Sequence, residues 1–338
     1  MEFAGAEWYR DLDLLPNSVE KILLTFYNYC GYLGNSIFFV CSAWFLLEKK
    51  RNKKIKILKL ETDVWIISVI WLAVFVLCKV HMRGSIVLRC LFPTTFNNNW
   101  FVTAYMLFYF IHPALNLILD KVSRTQLKYG CLFFVLLICI WVPFFQQWSD
   151  FMFYFSYPLM WVLVYFCIAY LKKYHGDLIK NRKFSVALLC VGLVGLIAEI
   201  TVTYYFGEVS FVIGGSGMRW NMWWNPLHWF IAFGSFNLFR TFRFHSRFIN
   251  RVSSLSLLVY LIHENFLVRE HLRPYIYVYI ERFHSEQVAL WLFIFAALTF
   301  AVSTGAAFVY QITIQRATYH IADIAYGKIK RVLLREHF

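Results

Sequence analysis

Charge is scarce in this sequence. Asp, Glu, Lys and Arg together make up 15% of its 338 residues, where a soluble domain carries about a quarter. Acidic residues are the scarcer: 19 stand against 33 Lys and Arg, a formal net charge of +14. There is no phosphate-cradling Walker loop, no dinucleotide fingerprint and no HExxH, so the motif-borne nucleotide-binding and zinc-hydrolase readings fall away. The eight Cys, among them Cys41, Cys78, Cys90 and Cys131, lie singly and mostly in or near apolar runs. That spacing indicates neither a disulfide framework nor a zinc site, and no metal is expected. Met1 to Glu20 is polar and rather acidic and does not read as a cleavable signal peptide. The two halves show no convincing internal repeat, which removes the usual mark of a duplicated transporter.

What is abundant is apolar and aromatic. Hydrophobic residues reach 60%, aromatic ones 21% with 36 Phe, and the mean hydropathy is +0.56. The composition predicts an all-α polytopic membrane helix bundle. Tyr29 to Lys59 shows the principle: an aromatic run, YCGYLGNSIFFVCSAWFLL, ends abruptly in EKKRNKKIKILK. In a bilayer that is a spanning helix whose positive end stays in the cytoplasm. About nine spans are expected, near 24–47, 62–79, 100–119, 128–145, 151–171, 184–206, 224–239, 253–268 and 287–312. The span near 253–268 has a short apolar part. It crosses with polar groups inside the bundle, or continues as an interfacial helix.

Charge tests that count. Alternate connections, 48–60, 120–128, 172–183 and 240–251, and the tail 313–338 carry 24 of the 33 basic residues. The positive-inside rule then puts those segments in the cytoplasm and the N-terminus outside. Three regions follow: an extracytoplasmic segment 1–23, a membrane domain 24–312 and a basic cytoplasmic tail 313–338. The expected address is the cell inner membrane, with membrane lipids as partners. The basic residues lie between apolar runs, which fits retention beside an anionic leaflet and not a nucleic-acid partner.

Polar residues inside the apolar runs are few, and each is expensive unless it faces the bundle interior or a partner. They are Glu199, His112, His228 and the pair His263 and Glu264. Tyr260 shares a helix face with His263 and Glu264, and Ser256 extends it by a turn. This stripe reads either as a wet acyl-transfer or substrate site, or as interhelical glue. Arg269 and Glu270 clamp an anionic substrate or pair with each other. Pro113 after His112 is expected to open a backbone bond and kink its helix, with Asn116 one turn on. Gly31, Gly34 and Ser36 allow close helix approach. The GGSG at 214–217 reads as flexible linkage. Trp100, Trp220, Trp223, Trp224 and Trp229 read as an interfacial belt, or as a surface for sugar C–H faces.

These features resemble the integral membrane acyltransferase family 3, the O-acetyltransferases of surface polysaccharides. Gly31, Gly34, Asn35, Phe38, Phe39, Ser42 and Ala43 resemble its GxxG–FFxxSG block before a basic loop, with Ala43 where glycine is usual. Trp100, Phe101, Tyr105, Pro113 and Asn116 resemble a W-F-x-x-x-Y…P-x-L-N helix. Ser254, Tyr260, Leu261, Ile262 and His263 resemble a late block ending Y-L-I-H. The resemblance implies one more span at the front, carrying an arginine and the histidine taken as catalytic base. This sequence has no His before His81, so its spans match family spans two to ten.

The resemblance further implies transfer of an acyl group, usually acetyl from cytoplasmic acetyl-CoA or another acyl-CoA, to a hydroxyl of a cell-surface or lipid-linked carbohydrate. CoA would approach near Lys53, Lys54, Arg243 or Arg247. His263 and His112 become the candidate catalytic residues. Tyr260, Glu264, Arg269, Trp100, Tyr105 and Asn116 become the candidate substrate contacts. Two other classes remain: a transporter or flippase of small molecules or lipid-linked glycans, and a non-catalytic membrane subunit. The topology has a direct check. A single cysteine introduced in 48–60 should react with impermeant maleimide only after the membrane is opened, and one in 1–23 in intact cells. Labelling of both from one side overturns the count.

Overall fold

The computed structural model describes residues 19–49, 54–145, 150–206, 222–242, 245–283 and 287–335, all of them helix, turn or connection. In order the helices are α1 (Val19–Leu46), α2 (Lys54–Leu77), α3 (Gly84–Leu91), α4 (Trp100–Lys121), α5 (Arg124–Val135) and α6 (Val142–Phe145). Then come α7 (Asp150–Tyr174), α8 (Gly176–Lys180), α9 (Arg182–Phe206), α10 (Pro226–Arg240), α11 (Arg247–Ser254) and α12 (Ser256–His263). Last are α13 (Arg273–Phe283), α14 (Val288–Tyr310) and α15 (Arg316–Arg335). Wider π-type turns cover Leu136–Trp141, Val268–Leu272 and Gln311–Gln315.

Among the described residues six stretches are long and apolar enough to cross a membrane: Ile22–Leu46, Ile55–Leu77, Trp100–Lys121, Arg124–Trp141, Arg182–Val202 and Val288–Ile324. Of the other three expected spans, one falls on α7, only part of whose side chains are described. Another falls on α10, whose 15 residues reach roughly 22 Å, short of a hydrocarbon core of about 30 Å. The expected span at 253–268 is not one helix. It breaks at Glu264 and Asn265 between α12 and the Val268–Leu272 turns. The fourth stretch starts earlier than the expected 128, because Ser123 and Gln126 form a capping box at its head. The tail after 312 is helical as far as Arg335.

The chain divides into two compact units. One contains Lys53–Thr103 and His245–Phe338, and the other Asn17–Asn52 and Ala104–Phe244. In the second, α9 and α10 lie backbone to backbone, and glycine makes that approach possible. A methyl on Gly234 would stand 2.9 Å from Leu189 N and 2.9 Å from Ser185 O, and one on Gly192 3.0 Å from Ile231 N. The expected small-residue contact at Gly31 and Gly34 does not appear among the described residues, where nothing beyond their own helix lies within 4 Å of a methyl built on either. Small residues mark a seam only where another helix lies against them. The core of this unit is aromatic. Phe39, of the resemblance block, is fully buried, with its ring 4.1 Å from Trp161, 5.0 Å from Phe108 and 5.9 Å from Trp229.

That core also corrects the tryptophan belt. Trp224 and Trp229 are buried, and Trp229 Nε1 donates to Trp223 O at 2.8 Å. Among the described residues the exposed tryptophans are instead Trp65 and Trp141. Trp220 and the GGSG lie outside the described residues.

In the first unit, Phe75, Cys90, Phe266 and Leu267 form a buried cluster. A buried carboxylate, Asp63, ties α2 to the long C-terminal helix. Tyr310 Oη donates to its Oδ1 at 2.8 Å, Gln315 Nε2 to its Oδ2 at 2.8 Å, and Tyr319 Oη also to Oδ2. Lys59 adds an ion pair to Asp323 at 2.7 Å.

The glycine seam yields a measurable contrast. Gly234→Ala should lower stability by about 1–3 kcal/mol, the usual cost of overpacking. Gly31→Ala and Gly34→Ala should be neutral or slightly stabilising in a helix interior. Thermal unfolding in detergent decides, and equal losses at all three positions would contradict the seam.

Candidate functional site

The stripe built on α12 becomes a defined cluster in the first unit. A helix end leaves carbonyls without amide partners, and here side chains take them. Trp71 Nε1 donates to Ile262 O at 3.1 Å, Arg273 Nη2 to His263 O at 2.9 Å, and Asn99 Nδ2 to Glu264 O at 3.4 Å. Asn265 turns the chain, its Oδ1 accepting from Leu267 N at 3.0 Å. The turn brings Arg273 back onto Glu264, Nη2 to Oε1 2.7 Å.

His263 sits against this pair. Its Nδ1 lies 2.7 Å from Val259 O. A carbonyl only accepts, so Nδ1 carries a proton and Nε2 holds the lone pair of the neutral ring. Nε2 lies 3.7 Å from Glu264 Oε1. Tyr260 packs edge-on to His263 at 6.1 Å and to Phe101 at 5.9 Å, and Trp100 packs edge-on to Phe101. The structure thus gathers Tyr260, His263, Glu264 and Trp100 with one residue missed in the sequence, Arg273. Its only signal was a basic residue just past a broken apolar run. Arg269 does not join them through its guanidinium Nε, which donates to Glu270 at 3.0 Å.

His112, Tyr105 and Asn116 fall in the second unit. Pro113 has no amide hydrogen, so the carbonyl four residues back, Tyr109 O, loses its helical partner. His112 Nδ1 supplies one at 2.8 Å, and α4 runs on through the proline. His112 Nε2 is buried without a partner in bonding geometry among the described residues, although the Lys49 backbone stands near the ring. Asn116 closes the end of α1. Its Nδ2 donates to Leu46 O at 3.2 Å and Lys49 O at 2.9 Å, and its Oδ1 accepts from Tyr165 Oη at 2.7 Å. Tyr105 lies within hydrogen-bonding reach of Ser42.

Beside Asn116 is a cavity of about 240 Å³ lined by Glu48, Asp120, Lys172 and Lys173 among others. Its lysines are engaged: Lys172 Nζ donates to Glu48 at 2.6 Å and Lys173 Nζ to Leu119 O at 3.2 Å. The Lys172 hydrogen bond and charge hold the Glu48 carboxyl below its ordinary value. A depressed acid keeps its pair at and above the ordinary value, and the pair separates only as pH falls through the lowered one. Of the basic residues expected to meet CoA, Lys53 and Arg243 lie outside the described residues and the Lys54 side chain is not described. Arg247 is exposed on α11. Among the described residues no group of three His, Cys, Asp or Glu is placed to hold a metal ion.

A family described as an acyltransferase domain matches residues 9–308, most of the chain. The chain belongs to the acyltransferase-3 family. No curated protein and no solved structure matches it. Membership makes this an acyltransferase-family membrane protein, and the geometry above then separates its two candidate histidines. In this family member His112 fills the gap that Pro113 creates, whereas His263 Nε2 stands beside a carboxylate.

The His112 role can be tested through its neighbour. His112→Ala should cost about 1–3 kcal/mol by stranding the Tyr109 carbonyl. In a Pro113→Ala background the new amide takes that carbonyl, so most of the cost should vanish. Equal losses in both backgrounds would refute the pairing.

Proposed function

We propose that this chain transfers an acyl group, acetyl in the favoured case, from an acyl-CoA donor to a hydroxyl of a cell-surface or lipid-linked carbohydrate. Two things support the reading: membership of an acyltransferase family and the bound tautomer of His263. The second carries the mechanism. With Nδ1 tied to Val259 O, the lone pair on Nε2 is the one able to take a proton from an acceptor hydroxyl.

In this mechanism the acceptor oxygen forms a bond to the thioester carbonyl carbon as its proton passes to His263 Nε2. The tetrahedral intermediate collapses, the carbon–sulfur bond breaks, and the imidazolium returns the proton to the departing CoA thiolate. Glu264 stands beside the imidazolium as counter-charge, and Arg273 fixes Glu264 at 2.7 Å. Tyr260 and Trp100 form the acceptor-facing wall. The anionic donor approaches the basic connections 48–60 and 240–251, which the charge pattern assigns to the cytoplasm. The protein is a multi-pass resident of the inner membrane, N-terminus outside and C-terminus inside.

The test is acyl transfer by the full chain in lipid nanodiscs, with labelled acetyl-CoA and a panel of glycans, the ester being read by mass spectrometry. His263→Ala should lower kcat by about 10²–10⁴-fold, the usual span for a lost acid–base group. His112→Ala, where it folds, should retain most of the rate. A His263→Ala enzyme as fast as the wild type, or no ester from any acceptor, would refute the proposal.

A further inference from the structure

A third polar cluster lies in the second unit, where α1, α9 and α10 meet, and the acyl-transfer reading makes no use of it. Glu199 of α9 accepts from Tyr29 Oη at 3.2 Å through Oε1 and from Asn225 Nδ2 at 2.8 Å through Oε2. Asn225 is also the N-cap of α10, its Oδ1 accepting from Leu227 N at 2.9 Å. One turn into α10 stands His228, fully buried. Its ring lies edge-on to Tyr29 at 5.6 Å and parallel to Tyr32 at 6.4 Å.

Neither ring nitrogen of His228 has a hydrogen-bond partner among the described residues. The Met222 backbone comes near the ring without reaching bonding geometry. Single unpartnered atoms occur elsewhere, as at His112 Nε2, but among the described residues His228 is the side chain with two, and two other buried polar clusters are closed. Asp63 receives three donors, and Asn237 Nδ2 reaches both Ile179 O and Ser185 Oγ. A buried imidazole with both nitrogens unsatisfied is costly, and such sites in native proteins hold water or a ligand.

The ring specifies the chemistry of its partner. A neutral imidazole offers one N–H and one lone pair, so it is matched by a group that accepts and donates. A hydroxyl oxygen does both. The adjoining Glu199 carboxylate disfavours an anion. It uses two of its lone-pair sites on Tyr29 and Asn225, which leaves capacity for another donor. The aromatic sides, Tyr29, Tyr32 and the Trp223 ring 6.4 Å from Tyr32, suit the C–H surface around an alcohol.

We propose that His228, with Glu199, Tyr29 and Asn225, forms a binding site for a neutral O–H group, supplied by a trapped water or by the hydroxyl of a sugar or other alcohol. The site stands in the second unit and needs none of the His263 chemistry, so either proposal can fail without the other.

The sign of one stability change tests it. If the imidazole holds an O–H group, His228→Phe strands that group, and Tm in nanodiscs should fall by at least about 2–4 °C. His228→Gln keeps a donor and an acceptor and should lie closer to the wild type. If the site is empty, Phe removes two unsatisfied atoms and Tm should rise. A second arm identifies the source. Methyl glucoside and its permethylated form are titrated into the wild type and into His228→Phe.

A saturable rise in Tm with the free sugar, lost on permethylation and in the variant, assigns an alcohol. A fall for His228→Phe with no response to either sugar assigns a trapped water. A rise for His228→Phe with no sugar response overturns the proposal. Should His228→Phe fail to fold, the comparison of His228→Gln with His228→Leu decides by the same signs.

Discussion

A polar group among lipid-facing helices has no water to turn to, so its partner must come from the chain itself. Much of this structure follows from that constraint. Pro113 frees a carbonyl, and His112 takes it. The end of α1 leaves carbonyls open, and Asn116 takes two of them. The end of α12 is closed by Trp71, Arg273 and Asn99, which come from three other places in the sequence. The repair at Pro113 stays within one helix, but at the ends of α1 and α12 the closing residues come from elsewhere in the chain, so those repairs serve as tertiary contacts as well as local bonds.

The same constraint shapes the chemistry. His263 and His112 each bond a carbonyl of their own helix through Nδ1, so each presents Nε2. What differs is what stands opposite. The His263 side chain is partly exposed, with Nε2 beside a carboxylate held by Arg273, whereas Nε2 of His112 is enclosed. An imidazole that exchanges protons needs an approach path and a counter-charge. The acyltransferase family supplies the reaction class, and the surroundings of the two rings supply the reason to prefer one of them.

Much of the architecture was legible in the sequence because the bilayer imposes length and apolarity, which are local properties. Six of the expected spans appear as long apolar helices, with Trp100 opening its helix where the apolar run begins. The stripe of Tyr260, His263 and Glu264 could be read from helical spacing alone. Arg273 could not, because it reaches Glu264 only after the chain turns at Asn265. Asp63 is one acid at the head of an apolar run, and nothing local marks it. Its donors lie more than 240 residues on. Glycine positions misled for a related reason: spacing shows that a helix has a smooth stripe, as at Gly31 and Gly34, but not whether another helix lies against it. The capping box at Ser123 was readable and would have placed the head of α5 correctly.

The Asp63 contact bears on how the protein meets membranes of different thickness. Val288–Ile324 is a helical stretch of 37 residues, apolar in its first part and polar from Gln311 on, roughly 55 Å at 1.5 Å per residue, against a hydrocarbon core of about 30 Å. A helix that long can adjust to a thicker or thinner bilayer by sliding or leaning. Here three side chains spread from Tyr310 to Tyr319 grip one carboxylate of α2, and Lys59 holds Asp323 one level along. Sliding would break all four bonds together. The depth of this helix is therefore set by α2, and the surrounding lipid has to stretch or compress to match it.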